Sequence, residues 1–221
     1  MSATIHSFTN LRKEVVPLLP SHYKKVLEIG CGEGRFSLNL DKDCEYWGVE
    51  PNRQAASVAS ERHQHVLQGT FEDAYPKLPD DYFDLVICND VIEHMADHAE
   101  FLEKIKVKLV PGAYIIGSVP NVRYLGNIYE MLIKKEWEYK SEGILDRTHL
   151  RFFTFSSLRR SFIECGYSIE DIVGLNSVIS RSRKIKKIID NIVMYGIILI
   201  TIGRHSDIQY MQIGFRVRTA L

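Results

Sequence analysis

Apolar positions fall in short runs separated by helix-period patterns. Residues 26–29, 46–49, 65–68, 83–88 and 113–119 read as strands, and residues 53–62, 98–110 and 156–165 read as helices. The alternation predicts right-handed βαβ crossovers, hence a parallel sheet with helices on both faces. The run Phe83-Asp84-Leu85-Val86-Ile87-Cys88 is apolar almost throughout, as a central strand covered on both sides should be. Pro111-Gly112 reads as a turn into the fifth strand, while serines and Gly166 bound the helix over 156–165. Residues 167–173 and 209–218 read as a closing antiparallel pair. Between them and the fifth strand, the excursion over 120–150 breaks the alternation and carries Tyr124, Tyr129, Trp137, Tyr139, Asp146, Arg147 and His149. Long excursions at the carboxyl ends of parallel strands are where such sheets build binding sites.

Composition narrows the class. The 221 residues are 45% hydrophobic, enough for one α/β domain with a full core. Lys plus Arg and Asp plus Glu both number 28, so no global positive field gathers nucleic acid. Cys31, Cys44, Cys88 and Cys165 form no C-x-x-C pair and are expected to be reduced, as in a cytoplasmic protein. Residues 1–10 lack the basic start and apolar run of a signal peptide.

The densest chemistry lies in Glu28-Ile29-Gly30-Cys31-Gly32-Glu33-Gly34-Arg35, with Glu50 following Gly30 by twenty residues. An apolar strand runs into a turn with glycine at alternate positions, so the backbone can bend sharply and a ligand can approach main-chain N–H groups with no Cβ in the way. A carboxylate at the end of the next strand, Glu50, is placed to accept ribose hydroxyls. The dinucleotide fingerprint G-x-G-x-x-G/A is not met, because Arg35 stands at its last small position and the third glycine is Gly34. A pyrophosphate would also be repelled by Glu28 and Glu33.

The pattern E-x-G-x-G-x-G resembles that of the class I S-adenosylmethionine-dependent methyltransferases. The likeness continues in Gln68-Gly69-Thr70-Phe71-Glu72-Asp73, in Phe83 to His94, and in Val110-Pro111-Gly112-Ala113. Ser118-Val119-Pro120-Asn121 and Asp146 to Phe153 resemble the branch containing quinone-biosynthesis O-methyltransferases and small methyltransferases of bacterial surface-polysaccharide pathways. The resemblance implies a Rossmann-like, seven-stranded, mostly parallel sheet with an antiparallel last strand and helices on both faces. It implies a single domain over 1–221, with 120–150 as the acceptor-site excursion and 180–204 as an appended helix between the last two strands. It implies S-adenosylmethionine as donor and S-adenosylhomocysteine as product. Gly30, Cys31, Gly32 and Gly34 would line the donor, Glu28 would hold its amino acid end, and Glu50 would take the ribose hydroxyls. Thr70 and Phe71 would lie at adenine, and the carbonyl of Asn89 would meet the donor's ammonium. Thr70 departs from the family, where an Asp commonly bonds the adenine amino group; Glu72, Asp73 or a backbone carbonyl would replace it.

Transfer from a sulfonium is an in-line displacement, so positioning supplies much of the acceleration, with a base added when the nucleophile is a hydroxyl. His149 and His94 are the candidate bases, imidazole titrating near neutral pH. Either could instead serve only to bond backbone or stack in the lid. Asp146 could orient His149 or pair with Arg147 or Arg151. His94 and His98, four apart, have no third ligand at a recognisable spacing, and no metal site is expected. Arg181, Arg183, Lys184, Lys186 and Lys187 precede an apolar run over 188–202, too short to span a bilayer; the segment reads either as a core or lid helix or as a peripheral contact with an anionic membrane. The expected function is therefore methylation of a small-molecule hydroxyl, or an amino group, on a sugar or glycolipid intermediate. The alternatives are a nucleic acid or protein methyltransferase, or a non-catalytic donor-binding partner subunit. Asn89-Asp90-Val91-Ile92 lacks the N/D-P-P-Y/F turn used to grip a flipped base, which argues against nucleic acid.

Overall fold

A computed structural model describes residues 10–178 and 205–219. The expected helix over 180–204 lies outside the described residues. Seven strands form one sheet in the order β3-β2-β1-β4-β5-β7-β6. They are β1 (Lys25–Ile29), β2 (Glu45–Glu50), β3 (His65–Gln68), β4 (Phe83–Asn89), β5 (Leu109–Pro120), β6 (Ser168–Ser177) and β7 (Tyr210–Arg218). The first five run parallel, and β7 lies antiparallel to both β5 and β6. The expected Rossmann-like sheet is thus present, with its reversed strand inserted one place in from the edge.

Alternation along β1 divides the core. Leu27 and Ile29 face a cluster with Val86, Cys88 and Ile115 under the helices His98–Ile105 and Phe155–Glu164. Val26, on the other face, packs with Leu85, Ile87, Ile116, Val15 and Leu18. Polar residues set the helix starts by accepting otherwise orphaned N–H groups. Asn52 caps the helix Arg53–Ser60, Asp97 caps the next, and Thr154 forms a capping box with Ser157. The serines expected to start that last helix therefore lie inside it, and Gly166 ends it in the left-handed region at φ +73°.

Pro111-Gly112 is not a turn between elements but part of β5. The strand begins at Leu109 and absorbs the pair in a register break between Phe83 and Leu85 of β4. The expected helix over 98–110 accordingly stops at Ile105, followed by a 3-10 turn at Lys106–Lys108. The excursion over 120–150 contains a helix Leu125–Tyr129 that continues as a π-turn at Glu130–Lys134. Backbone bridges tie Asn121 to Phe153 and Lys140 to Asp146. Among the described residues no helix is long and apolar enough to cross a membrane.

Candidate active site

Register brings the candidate residues together. Ile29 pairs with Val49 on one side and Cys88 on the other, so Gly30, Glu50 and Asn89 leave three adjacent strands at the same level. Gly30 sits at φ +70°, and a Cβ there would lie 2.7 Å from Val91 Cγ2, so the turn closes only with glycine. Gly32 and Gly34 also have positive φ.

The turn's N–H groups are not presented to a ligand as the sequence suggests. Those of Gly30 and Cys31 donate to Val49 O at 2.8 and 3.1 Å, Gly34 N donates to Cys31 O at 2.8 Å, and Gly32 N donates to Glu50 Oε2 at 2.8 Å. These four N–H groups are satisfied by the turn and the neighbouring strand. Cys31 is buried, its thiol pushed up by burial and neighbouring carboxylates, so it fills space under the turn.

Glu50 is 3% exposed and accepts from Gly32 N and Asn52 N, one bond per carboxylate oxygen, each at 2.8 Å. Each oxygen retains a lone pair, so the group can brace the turn and accept hydroxyls together. Glu28, also 3% exposed, accepts from Tyr46 Oη at 2.5 Å. Burial pushes its carboxyl up to about 8 despite the tyrosine bond. Between about 4.5 and 8 the folded protein therefore holds a proton that the unfolded chain has released. This group's contribution is largest at low pH and falls as pH rises through that window. Thermal melts of the ligand-free protein from pH 5 to 8 should show a shallower decline in Glu28→Gln; an unchanged slope would refute the shifted carboxyl.

Asn89 carries the clearest signal for a ligand. Its amide nitrogen and oxygen are both buried without a protein partner at the carboxyl end of β4, an arrangement that native structures rarely leave unexplained. Asp90, beside it, is not a helix cap. It sits at φ +54° and is held by Arg12, by Ser118 Oγ at 3.0 Å and by Gln212 Nε2 at 2.8 Å. Arg12 Nη2 also donates to Ser118 Oγ at 2.7 Å, so the segment before β1 is drawn across the ends of β4 and β5.

Two candidates are placed differently. Thr70 is a capping residue: its hydroxyl accepts from Asp73 N, and its N–H and hydroxyl donate to Asp73 Oδ2, each at 3.0 Å. That box also occupies Asp73, leaving Glu72 as the uncommitted one of the two acids. Phe71 is 4% exposed and packs edge-on to Phe101 and Tyr75, which makes its ring core.

The two histidines do meet. The rings of His94 and His149 lie 4.8 Å apart at 68°. Leu150 N and Arg151 N donate to Glu93 O at 2.8 and 3.0 Å, which pins the excursion over the end of β4. His149 Nδ1 bonds Ile144 O at 2.9 Å and His94 Nδ1 bonds Thr148 O at 3.2 Å. A carbonyl only accepts, so each Nδ1 donates, which in the neutral ring leaves Nε2 as the acceptor. Loss of solvent and the neighbouring His149 lower His94 from its ordinary value. Asp146 serves neither expected role: its carboxylate accepts from Thr148 N and Oγ1 at 2.7 and 2.6 Å. His98 lies apart, bonding Ser161 Oγ at 3.0 Å. Glu93, which the sequence places in the motif from Phe83 to His94 without assigning it a role, is fully buried, with neither carboxylate oxygen partnered.

Residues 5–172 match the family model described as a methyltransferase domain. The chain belongs to this family, and with its sheet order and glycine turn it is a class I S-adenosylmethionine-dependent methyltransferase. It is similar to the ubiquinone biosynthesis O-methyltransferases of Psychrobacter arcticus, 29% identical over 69% of this chain and 62% of that protein, and of Aeromonas salmonicida, 28% identical over 76% and 73%. The match thus spans under two thirds of the Psychrobacter protein. A crystal structure of a methyltransferase from Archaeoglobus fulgidus shares the fold, with a TM-score of 0.63 and 19% identity over 98% of this chain and 95% of that one.

Proposed function

We propose that the protein transfers the methyl group of S-adenosylmethionine to a hydroxyl of a small amphiphilic molecule, a glycolipid intermediate in the first reading. The unpartnered amide of Asn89, level with Gly30 and Glu50, carries the donor half of the proposal. Glu50 accepts the ribose hydroxyls, Glu28 and the Asn89 carbonyl face the ammonium, and the glycine backbone packs against the donor between them. Adenine lies near residues 70–72, with Glu72 and backbone as its polar contacts. On the acceptor side, His149 or His94 takes the hydroxyl proton through Nε2. The excursion bearing His149 exposes Tyr129, Met131, Leu132, Ile133 and Trp137, an apolar ridge suited to an acceptor with a hydrocarbon tail. The relatives' name supports a second reading of the same chemistry, O-methylation of a precursor in ubiquinone biosynthesis.

Calorimetric titration with S-adenosylhomocysteine, beside NAD, tests the donor half. Binding of the first and not the second is expected. Asn89→Ala should weaken it about tenfold without lowering the melting temperature, because the lost amide bonds nothing in the protein. Preference for NAD, or unchanged affinity in Asn89→Ala, would overturn the placement.

A further inference from the structure

Asn121, which closes the motif Ser118-Val119-Pro120-Asn121, is fully buried and organises a second cleft beyond the carboxyl end of β5. Its Nδ2 donates to the carbonyls of Asp207 and Tyr210, each at 2.9 Å, and its Oδ1 accepts from Arg123 N at 3.1 Å. One side chain thereby fixes the start of β7 against the start of the excursion. The backbone bridge between Asn121 and Phe153 brings the first turn of the helix Phe155–Glu164 to the same place. Between these walls lies a cavity of about 620 Å³, whose lining includes Arg123, Phe155, Ser156, His205, Asp207 and Tyr210. That volume is within the range of small-molecule sites.

We propose that this cleft binds a neutral sugar ring of the methyl acceptor. The inference rests on the reading of the protein as a methyltransferase acting on a glycolipid intermediate, and gives the carbohydrate part of that acceptor its binding residues.

Charge decides against an anion. Arg123 Nε donates to Asp207 Oδ2 at 2.6 Å, and Arg123 Nη2 donates to His205 Nδ1 at 2.6 Å. The guanidinium is thus matched by a carboxylate, and a histidine that accepts through Nδ1 is neutral. Among the described residues that line the cleft, Arg123 and Asp207 are the only charged groups. A phosphate would find no surplus positive charge there and would face the Asp207 carboxylate.

Donors and acceptors suit hydroxyl groups instead. Arg123 Nη1 and the hydroxyls of Ser156, Ser206 and Tyr210 make no hydrogen bond among the described residues, and Nε2–H of His205 is left to donate. Asp207 Oδ1, 3.4 Å from Arg123 Nη2, keeps accepting capacity. A hydroxyl both donates and accepts, so neighbouring hydroxyls on one ring can bridge the carboxylate and the guanidinium together. Phe155 and Tyr210 supply the apolar wall, their ring centroids 6.4 Å apart at 51°. Aromatic faces carry negative potential and attract the polarised C–H groups on the face of a sugar. The tilt between the rings leaves no parallel slot for a nucleobase.

The cleft opens on the edge of the sheet that carries Gly30, Glu50 and Asn89, because Asn89 pairs with Ser118 at the start of the same motif. Thr154, on its wall, follows His149 by five residues, a span of at most about 18 Å even at full extension. A sugar held there brings a hydroxyl of its own ring, or of a neighbouring ring, to the histidines.

Saturation-transfer difference NMR on the full chain, with S-adenosylhomocysteine present, tests the cleft. The probes are the methyl pyranosides of glucose, galactose, mannose, rhamnose and N-acetylglucosamine. At least one is expected to receive saturation. Its signal should fall about tenfold in Asp207→Asn, one hydrogen bond to a charged group being lost, while S-adenosylhomocysteine affinity stays unchanged. Arg123→Gln carries the same comparison should the first variant not purify. No signal from any pyranoside, a signal equal in the variant, or a signal displaced by inorganic phosphate overturns the sugar cleft. S-adenosylhomocysteine binding retained in that event leaves the donor reading standing, whereas its absence from a protein that still takes a pyranoside would remove the donor reading alone.

Discussion

Glu50→Ala is expected to reduce S-adenosylhomocysteine affinity by about a hundredfold or more, two charge-assisted hydrogen bonds to ribose being lost together. The same substitution should lower the melting temperature by several degrees. Glu50 accepts from Gly32 N and Asn52 N, and a methyl group leaves both N–H groups without their acceptor. Two readouts therefore move, and their ratio is informative. A melting temperature that falls while affinity holds would make Glu50 a brace of the turn and nothing more, contradicting its proposed contact with the donor.

His149→Ala should lower turnover by about a hundredfold or more, the scale on which positioned bases act, and leave donor affinity within a factor of about two, because the ring lies beyond the glycine turn on the excursion. Added imidazole should restore part of the activity if the ring is the base. Near-normal turnover in this variant would mean that His149 only ties down the lid.

How much of this was legible beforehand depended on whether a residue's role was local. The sheet could be read because each strand carries its own apolar run, and the Glu28 to Gly34 pattern could be read because a backbone needing positive φ leaves a glycine signature. β5 was shortened in that reading because Pro111-Gly112 is ordinarily a turn, whereas here a register break beside β4 accommodates it. Thr70 was assigned to adenine by analogy of position. Its hydroxyl is spent on a cap with Asp73, a pairing that T-x-x-D just ahead of a helix does signal. The self-satisfied N–H groups of the turn had no sequence signal, since Val49 O and the Glu50 carboxylate reach them only through strand register. Glu93 was missed for a related reason. Its position in the motif carries no burial signal, and only the folded chain shows it fully buried and without a partner, against a histidine more than fifty residues away.

The insertion of β7 between β5 and β6 bears on the order in which the protein acquires its site. Every ladder bond of β6 to the sheet runs through β7, and Gln212 of β7 helps to hold Asp90 at its left-handed backbone angle. During synthesis the residues proposed to bind the donor emerge early, yet Gln212, which helps to fix the end of β4, follows Asp90 by 122 residues. A nascent chain that has reached Ser177 can pair its first five strands but has no edge on which β6 can dock, and its donor pocket lacks one wall support. A chain translated past Arg218 is the first that can hold Asp90 in place, and the donor site proposed above would then give such chains a ligand-dependent resistance to proteolysis that shorter ones lack.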